Sequence, residues 1–256
     1  MTYNRPYDTR APASGRAGRP ALANVYPRVV RGAGMDVSLL GGTGDIGEAL
    51  ALRWARDTDH AVVVGSRDAE RARERVADYE DELAAHGAAG DLSGCDNEEA
   101  AARGDVVVCA VPAYHLADTV ERVADALGPD DILVSPAVGM KHDEAGAHYN
   151  PPAAGSVTAL AARAAPDGVA VVGAFHSLPA GPLSDLDASF EADTPVVGDD
   201  DAAVETVADL AEDIEGLRAQ RAGGLDNAGE VESLAPLLIN IGEHDDDCHD
   251  VRVQFG

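Results

Sequence analysis

A chain of 256 residues can bury enough surface for one large domain, or for a large domain with a small one. Its formal net charge of −27 excludes a general nucleic-acid binder, because a phosphate backbone would be repelled. Hydrophobic residues make up 45% but aromatic ones only 4%, so the core must be built from Ala, Val, Leu and Ile, and no apolar run approaches the roughly 18 residues of a membrane-spanning helix.

Residues 1–34 carry Arg5, Arg10, Arg16, Arg19, Arg28 and Arg31 against Asp8 alone, with several Pro and Gly and no periodicity. That composition predicts a disordered tail, and Met35 is an expected start of the folded part. An Arg-rich, acid-poor start also mimics a transit peptide, but the rest of the chain argues against an organelle. From Asp36 onward strand and helix patterns alternate. Strands are expected at Val37–Leu40, Ala61–Val64, Asp105–Val111 (the third), Asp131–Ser135, Val169–Ala174 and Thr194–Val197. Helices are expected up to about Arg56, over Ala69–Leu83, His115–Leu127, Ser156–Ala164 and Asp201–Asp213, with a last apolar-striped helix over Asn227–Ile241 and a closing strand over Val251–Phe255. This order predicts an α/β, Rossmann-type, doubly wound parallel sheet with a small C-terminal helical segment. Three units are expected: the tail 1–34, a nucleotide-binding domain 35–220, and a C-terminal segment 221–256.

The strongest motif is Gly42-Thr43-Gly44-Asp45-Ile46-Gly47, set between an expected strand and an expected helix. In that setting Gly42 allows the tight turn, Gly44 lets backbone approach a pyrophosphate, and Gly47 lets the helix pack on the strand. The helix start then offers amide donors and a positive dipole end to phosphates. Where an NAD enzyme carries an acid to bind the ribose 2′-hydroxyl, this chain has Ser66 and Arg67, then Arg71. A hydroxyl and two guanidinium groups suit a 2′-phosphate, so NADP is the expected nucleotide. Val111 and Pro112, at the end of the third expected strand, should border the cofactor crevice. His115 either touches the nicotinamide or pyrophosphate or simply begins its helix.

Cys95, Cys109 and Cys248 show no metal-ligand spacing and read as reduced thiols. The acid-rich run Glu243–Asp250, despite His244, Cys248 and His249, reads as a solvated loop, and no metal site is expected. A carboxylate-covered surface fits a protein working at molar salt, where the Debye length is about 3 Å. A cytoplasmic protein with small-molecule coenzymes as its partners is expected.

Taken in order, Met35–Gly47, Val63–Arg67, Val111-Pro112 with His115, Val134–Pro136, Phe175–Ala180 (FHSLPA), Val197–Asp201, Gly216–Arg218 and Val231–Asn240 (VESLAPLLIN) resemble the NADPH-dependent coenzyme F420 reductases, in a form suited to a halophilic archaeon. The resemblance covers about Met35 to Ile241. It implies reversible hydride transfer between NADP and coenzyme F420, an 8-hydroxy-5-deazaflavin. It places Thr43 and Leu178 against the nicotinamide, and His176, Pro179, Ala180 and Ser233 around the deazaflavin. Such a reaction needs two rings held close more than it needs an acid or base. Three positions depart from the family pattern: Ala113, Ala235 and Ala219 stand where an aromatic residue, a hydroxyl and a proline are usual. The alternatives are another NADP-dependent reductase, resembling the pyrroline-carboxylate reductases, or a non-catalytic NADP sensor. The apolar stripe Val231–Ile241 implies a homodimer.

Overall fold

The computed structural model describes residues 34–245 and 247–256. The predicted tail lies outside them except for Gly34. The chain begins with β1 (Asp36–Leu40), α1 (Asp45–Asp57), β2 (Ala61–Ser66), α2 (Ala69–Ala85), β3 (Asp91–Asp96), α3 (Asn97–Arg103), β4 (Val106–Cys109) and α4 (Ala113–Val123). It continues with β5 (Ile132–Ser135), a hairpin of β6 (Met140–Asp143) and β7 (Gly146–Tyr149), α5 (Val157–Ala164), β8 (Ala170–Gly173), α6 (Ala180–Ser184), β9 (Ala192–Gly198), α7 (Asp201–Glu212), β10 (Leu217–Arg221), α8 (Ala228–Glu232) and α9 (Leu234–His244).

Eight strands form one sheet in the order β10-β9-β8-β5-β4-β1-β2-β3. Every neighbouring pair is parallel except β8 and β9, which meet head to tail through Val172–Gly198 and Gly173–Val197. The sheet is therefore a mostly parallel, Rossmann-type one with a reversed two-strand margin. Strand order turns at β1, whose neighbours are β2 and β4, and this is the switch point where α/β sheets open a crevice. Helices cover both faces. Trp54 of α1 anchors one side, donating its indole N–H to the Leu210 carbonyl at 2.9 Å and meeting Phe175 edge to face at 5.8 Å between ring centres. Among the described residues no helix is long and apolar enough to cross a membrane.

Four sequence expectations change. The strand at Asp105–Val111 is the fourth, not the third, because Asp91–Asp96 forms an edge strand that has no apolar run. Gly94 makes that edge possible: a Cβ there would sit 2.6 Å from the Ala72 carbonyl carbon of α2. The sheet is not wholly parallel. The last helix is two helices with a break at Ser233, because Pro236 has no N–H to give the Glu232 carbonyl. Val251–Phe255 is not a strand. It runs beside the start of β9, where the Val253 carbonyl accepts from Asp193 N at 2.8 Å and Phe255 N donates to the Asp193 carboxylate.

Candidate functional site

The turn of the glycine motif is built as its glycines require. Gly41 has φ +76°, and Gly42 N donates to the Leu39 and Gly65 carbonyls, both at 3.0 Å. A Cβ on Gly47 would stand 2.6 Å from Gly42 Cα, so any side chain there would push α1 off the turn. A Cβ on Gly44 would meet only the Gly41 carbonyl oxygen, at 3.6 Å. Gly47 thus serves the fold, whereas Gly44 keeps space open above the helix start. Gly44 also caps α1 without any side-chain bond, so no side chain competes for the first-turn amides.

Two braces hold this turn that the sequence did not reveal. Asn97, from the overlooked β3–α3 unit, accepts from Gly41 N at 3.2 Å. Tyr79 of α2 donates its hydroxyl to the Gly42 carbonyl at 3.0 Å, and burial pushes its pKa up to about 12. Arg75 lies over the Tyr79 ring and pairs with Glu48 and Asp78. At the end of β2 Ser66 is buried and accepts from Asp68 N at 3.3 Å. Arg67 and Arg71 beside it are exposed and enter no ion pair among the described residues. In so acidic a chain, two unneutralised guanidinium groups at this place form a fitting anion receptor.

Val111 packs against the same turn, its Cγ1 lying 2.7 Å from where a Gly41 Cβ would be. Pro112 is the N-cap of α4. His115 is exposed on that helix with its ring 4.3 Å from the Tyr114 ring.

Beyond the switch point lies a cavity of about 250 Å³. Ile46 of the glycine motif forms one side, and Phe175, His176, Ser177, Leu178 and Pro179 form another. Pro136, Val138 and Met140 after β5, Ala235, Leu238 and Ile239 of α9, and Val251 complete it. The structure therefore brings the glycine motif, the FHSLPA segment and the last helix to one place, as the resemblance implied. Ala180 follows as the first residue of α6, and Thr43 sits half-buried in the turn. Ser233 is placed elsewhere. It donates to the Glu230 carbonyl at 2.7 Å and lines a separate polar cavity of about 520 Å³ with Tyr149, Ser156 and Asp226.

Phe175 turns the chain into this cavity with φ +68°, a left-handed conformation that a bulky residue rarely adopts. Its N–H donates to Thr194 Oγ1 at 2.8 Å, and Trp54 holds its ring. Just after it, burial pushes the His176 pKa down to about 3, so the imidazole is neutral. His176 Nδ1, Ser177 Oγ and Ser135 Oγ are buried and have no partner among the described residues. Ser135 ends β5 and His176-Ser177 follow β8, two adjacent strands, so all three orphaned atoms gather at one rim of the sheet. Each such atom costs about 1–3 kcal/mol unless something pairs with it, and a polar ligand would supply the pairing. Elsewhere burial raises Cys95 to about 11 and Cys109 to about 12, which leaves them protonated at neutral pH and poor nucleophiles.

The neutral His176 has a consequence for acid stability. Unfolded, the ring ionises near 6.5; folded, it resists a proton down to about 3. The stability tied to this group is complete above pH 6.5 and falls as pH drops toward 3, by roughly 1.4 kcal/mol per unit. Melting His176→Gln and the parent from pH 7 to pH 4 should show the parent losing stability faster. Equal slopes would mean that the imidazole accepts a proton in the folded state.

A sequence model described as "NADP oxidoreductase coenzyme F420-dependent" matches residues 36–139. An F420-dependent NADP reductase of Methanocaldococcus jannaschii is 34% identical over 210 residues, covering 81% of this chain and 92% of that protein. One from Methanothermobacter thermautotrophicus is 37% identical over 212 residues, covering 81% and 89%. The chain belongs to the F420-dependent NADP reductase family. Among solved structures, a candidate F420-dependent NADP reductase from Arthrobacter sp. FB24 superposes with a TM-score of 0.71 at 23% identity, covering 87% of this chain and 100% of that one. At that identity the structural likeness speaks for the fold alone. The stretch matched by the family's sequence model, residues 36–139, takes in the glycine motif.

Proposed function

We propose that this protein transfers hydride reversibly between NADP(H) and coenzyme F420. The observation that carries the reading is the 250 Å³ cavity that joins Ile46 of the phosphate motif to the His176–Pro179 turn and to Ala235, in a chain of this family. Bound side by side, the two coenzymes would bring the chemistry with them, hydride passing between nicotinamide C4 and deazaflavin C5. The protein's part is placement. Gly42 to Gly47 hold the pyrophosphate, Ser66, Arg67 and Arg71 hold the 2′-phosphate, and Val111, Pro112 and His115 border the nucleotide. Thr43 and Leu178 support the nicotinamide, while His176, Pro179 and Ala180 face the deazaflavin. The buried apolar groups of Phe175 and Leu178 keep water from the reacting faces. In this reading residues 35–220 form the nucleotide-binding domain, and residues 221–256 complete the deazaflavin side through Ala235, Leu238 and Ile239.

Anaerobic mixing of the protein with NADPH and oxidised F420 should bleach the deazaflavin absorbance band. A band that stays constant while a cyclic imine is reduced instead would transfer the protein to the imine-reducing Rossmann enzymes.

The acid excess supports a salt-adapted, archaeal and cytoplasmic setting. Helix α9 supports a homodimer: Leu237 is 54% exposed, and only Ala235 and Pro236 of its residues are buried. A second copy would cover this apolar face. Leu237→Asp should convert a dimer into a monomer in sedimentation experiments, and a single monomeric species in the parent would dismiss the pairing.

A further inference from the structure

His176 is not isolated on its buried side. Its Nε2 lies 3.3 Å from Thr158 Oγ1, and Thr158 Oγ1 lies 3.0 Å from Glu232 Oε1. Gly173 permits this close stacking on β8, since a Cβ there would stand 2.9 Å from Thr158 Oγ1 and 3.0 Å from His176 Cε1. Glu232, the last residue of α8, is fully buried, and its carboxylate lies at the start of α5. Its carboxylate accepts from Val157 N at 2.9 Å and Thr158 N at 2.8 Å, and the Tyr149 hydroxyl is 3.1 Å away. Burial pushes the Glu232 pKa up, but, counting the Thr158 hydroxyl, four donors point at its two oxygens and oppose that shift, an arrangement that suits an ionised acid that only accepts. The positive end of α5 favours the same state.

The single Thr158 hydroxyl proton therefore has two claimants, a carboxylate and an imidazole nitrogen. The charge-assisted bond to the carboxylate is the stronger. Thr158 Oγ1 then has only lone pairs to offer His176, and Nε2 must carry the ring proton to make its contact. We propose that Thr158 and Glu232 are positioning residues that fix His176 as the Nε2–H tautomer, so that Nδ1 offers a lone pair to an N–H or O–H donor on the bound deazaflavin ring. The identity of that occupant rests on the hydride-transfer reading above; the tautomer does not. Nδ1 is buried without a partner among the described residues, and His176 is one of the residues that line the cavity. A ring locked the other way would present a buried N–H to the carbonyl side of a ligand and select a different face of it.

The test begins with coenzyme-free protein labelled with ¹⁵N-histidine, the His176 signals being identified by their loss in His176→Asn. Long-range proton–nitrogen correlation at neutral pH should show a protonated Nε2 and a bare Nδ1. Thr158→Val should abolish this fixed pattern and raise the KM for F420 about tenfold, the loss of one good hydrogen bond, with the KM for NADPH unchanged. Thr158→Ser should restore both the pattern and the KM. A parent spectrum with the proton on Nδ1 overturns the proposal whatever the variants do. So does a folded Thr158→Val protein that keeps the parent pattern and KM. A parent with the expected tautomer that reduces no deazaflavin would refute the activity and leave the tautomer assignment standing.

Discussion

Replacing Arg67 by Ala should weaken NADPH binding by about 1.5–3 kcal/mol, roughly ten- to 150-fold, and barely change NADH binding. The asymmetry follows from what Arg67 does in the coenzyme-free protein. It is exposed at the end of β2, next to the buried Ser66, and has no ion pair among the described residues. Removing it breaks no internal contact, so folding should be little affected. Its guanidinium charge is then free for the one phosphate by which the two nucleotides differ. Arg71, in the first turn of α2 and likewise exposed without an ion pair among the described residues, should act in the same sense. Calorimetric titration with both nucleotides measures the difference. An Arg67→Ala protein that binds NADPH as the parent does would show that the 2′-phosphate lies elsewhere.

Gly47→Ala and Gly44→Ala should fail in different ways. At Gly47 the new methyl would overlap Gly42 Cα at 2.6 Å and the Gly41 carbonyl oxygen at 3.0 Å, and both are backbone atoms with little room to yield. Either α1 moves away from the sheet or the turn opens. The expected result is a loss of several kcal/mol of stability, in the range seen for overpacked cores, together with nucleotide binding. At Gly44 the methyl makes an ordinary contact of 3.6 Å, so the variant should fold and melt close to the parent. It should still bind NADPH at least tenfold more weakly, because the methyl occupies the space that a pyrophosphate needs. Melting curves and binding isotherms on both proteins check the pair. Two variants with matching stability and matching affinity would break the division of roles.

How far the sequence carried depended on what each element buries. β1, β2, β4 and β5 lie inside the sheet, their cores are runs of Val and Leu, and they were readable for that reason. β3 is an edge strand of Asp-Leu-Ser-Gly-Cys-Asp, half exposed and held by pairing with β2 and by the close approach of α2, so no local pattern announces it. With it went Asn97, the residue that holds Gly41. The β6–β7 hairpin was missed for a related reason. β6 is exposed along its whole length, and β7 is secured by the Asn240 side chain, which bonds both the N–H and the carbonyl of Ala147 at 2.7 and 2.8 Å. That link spans 93 residues and cannot be seen locally.

Within the candidate site, glycines and arginines were legible because their chemistry is tied to a short motif. Ser135, Ser177, Thr158 and Glu232 were not, since a buried hydroxyl or carboxylate acquires meaning only when tertiary packing decides what surrounds it. Pro236 was the overlooked signal in the last helix. Its missing N–H divides α8 from α9, which turns Ser233 toward the other cavity and Ala235 toward this one.

The left-handed backbone at Phe175 bears on how the protein turns over. Phe175 is held in a conformation that a side chain of its size would otherwise avoid by the Thr194 bond and the Trp54 contact, so His176, the next residue, lines the cavity before any coenzyme arrives. The expense of ordering that segment falls on folding and not on association. A coenzyme binding there then spends none of its binding free energy on ordering that turn.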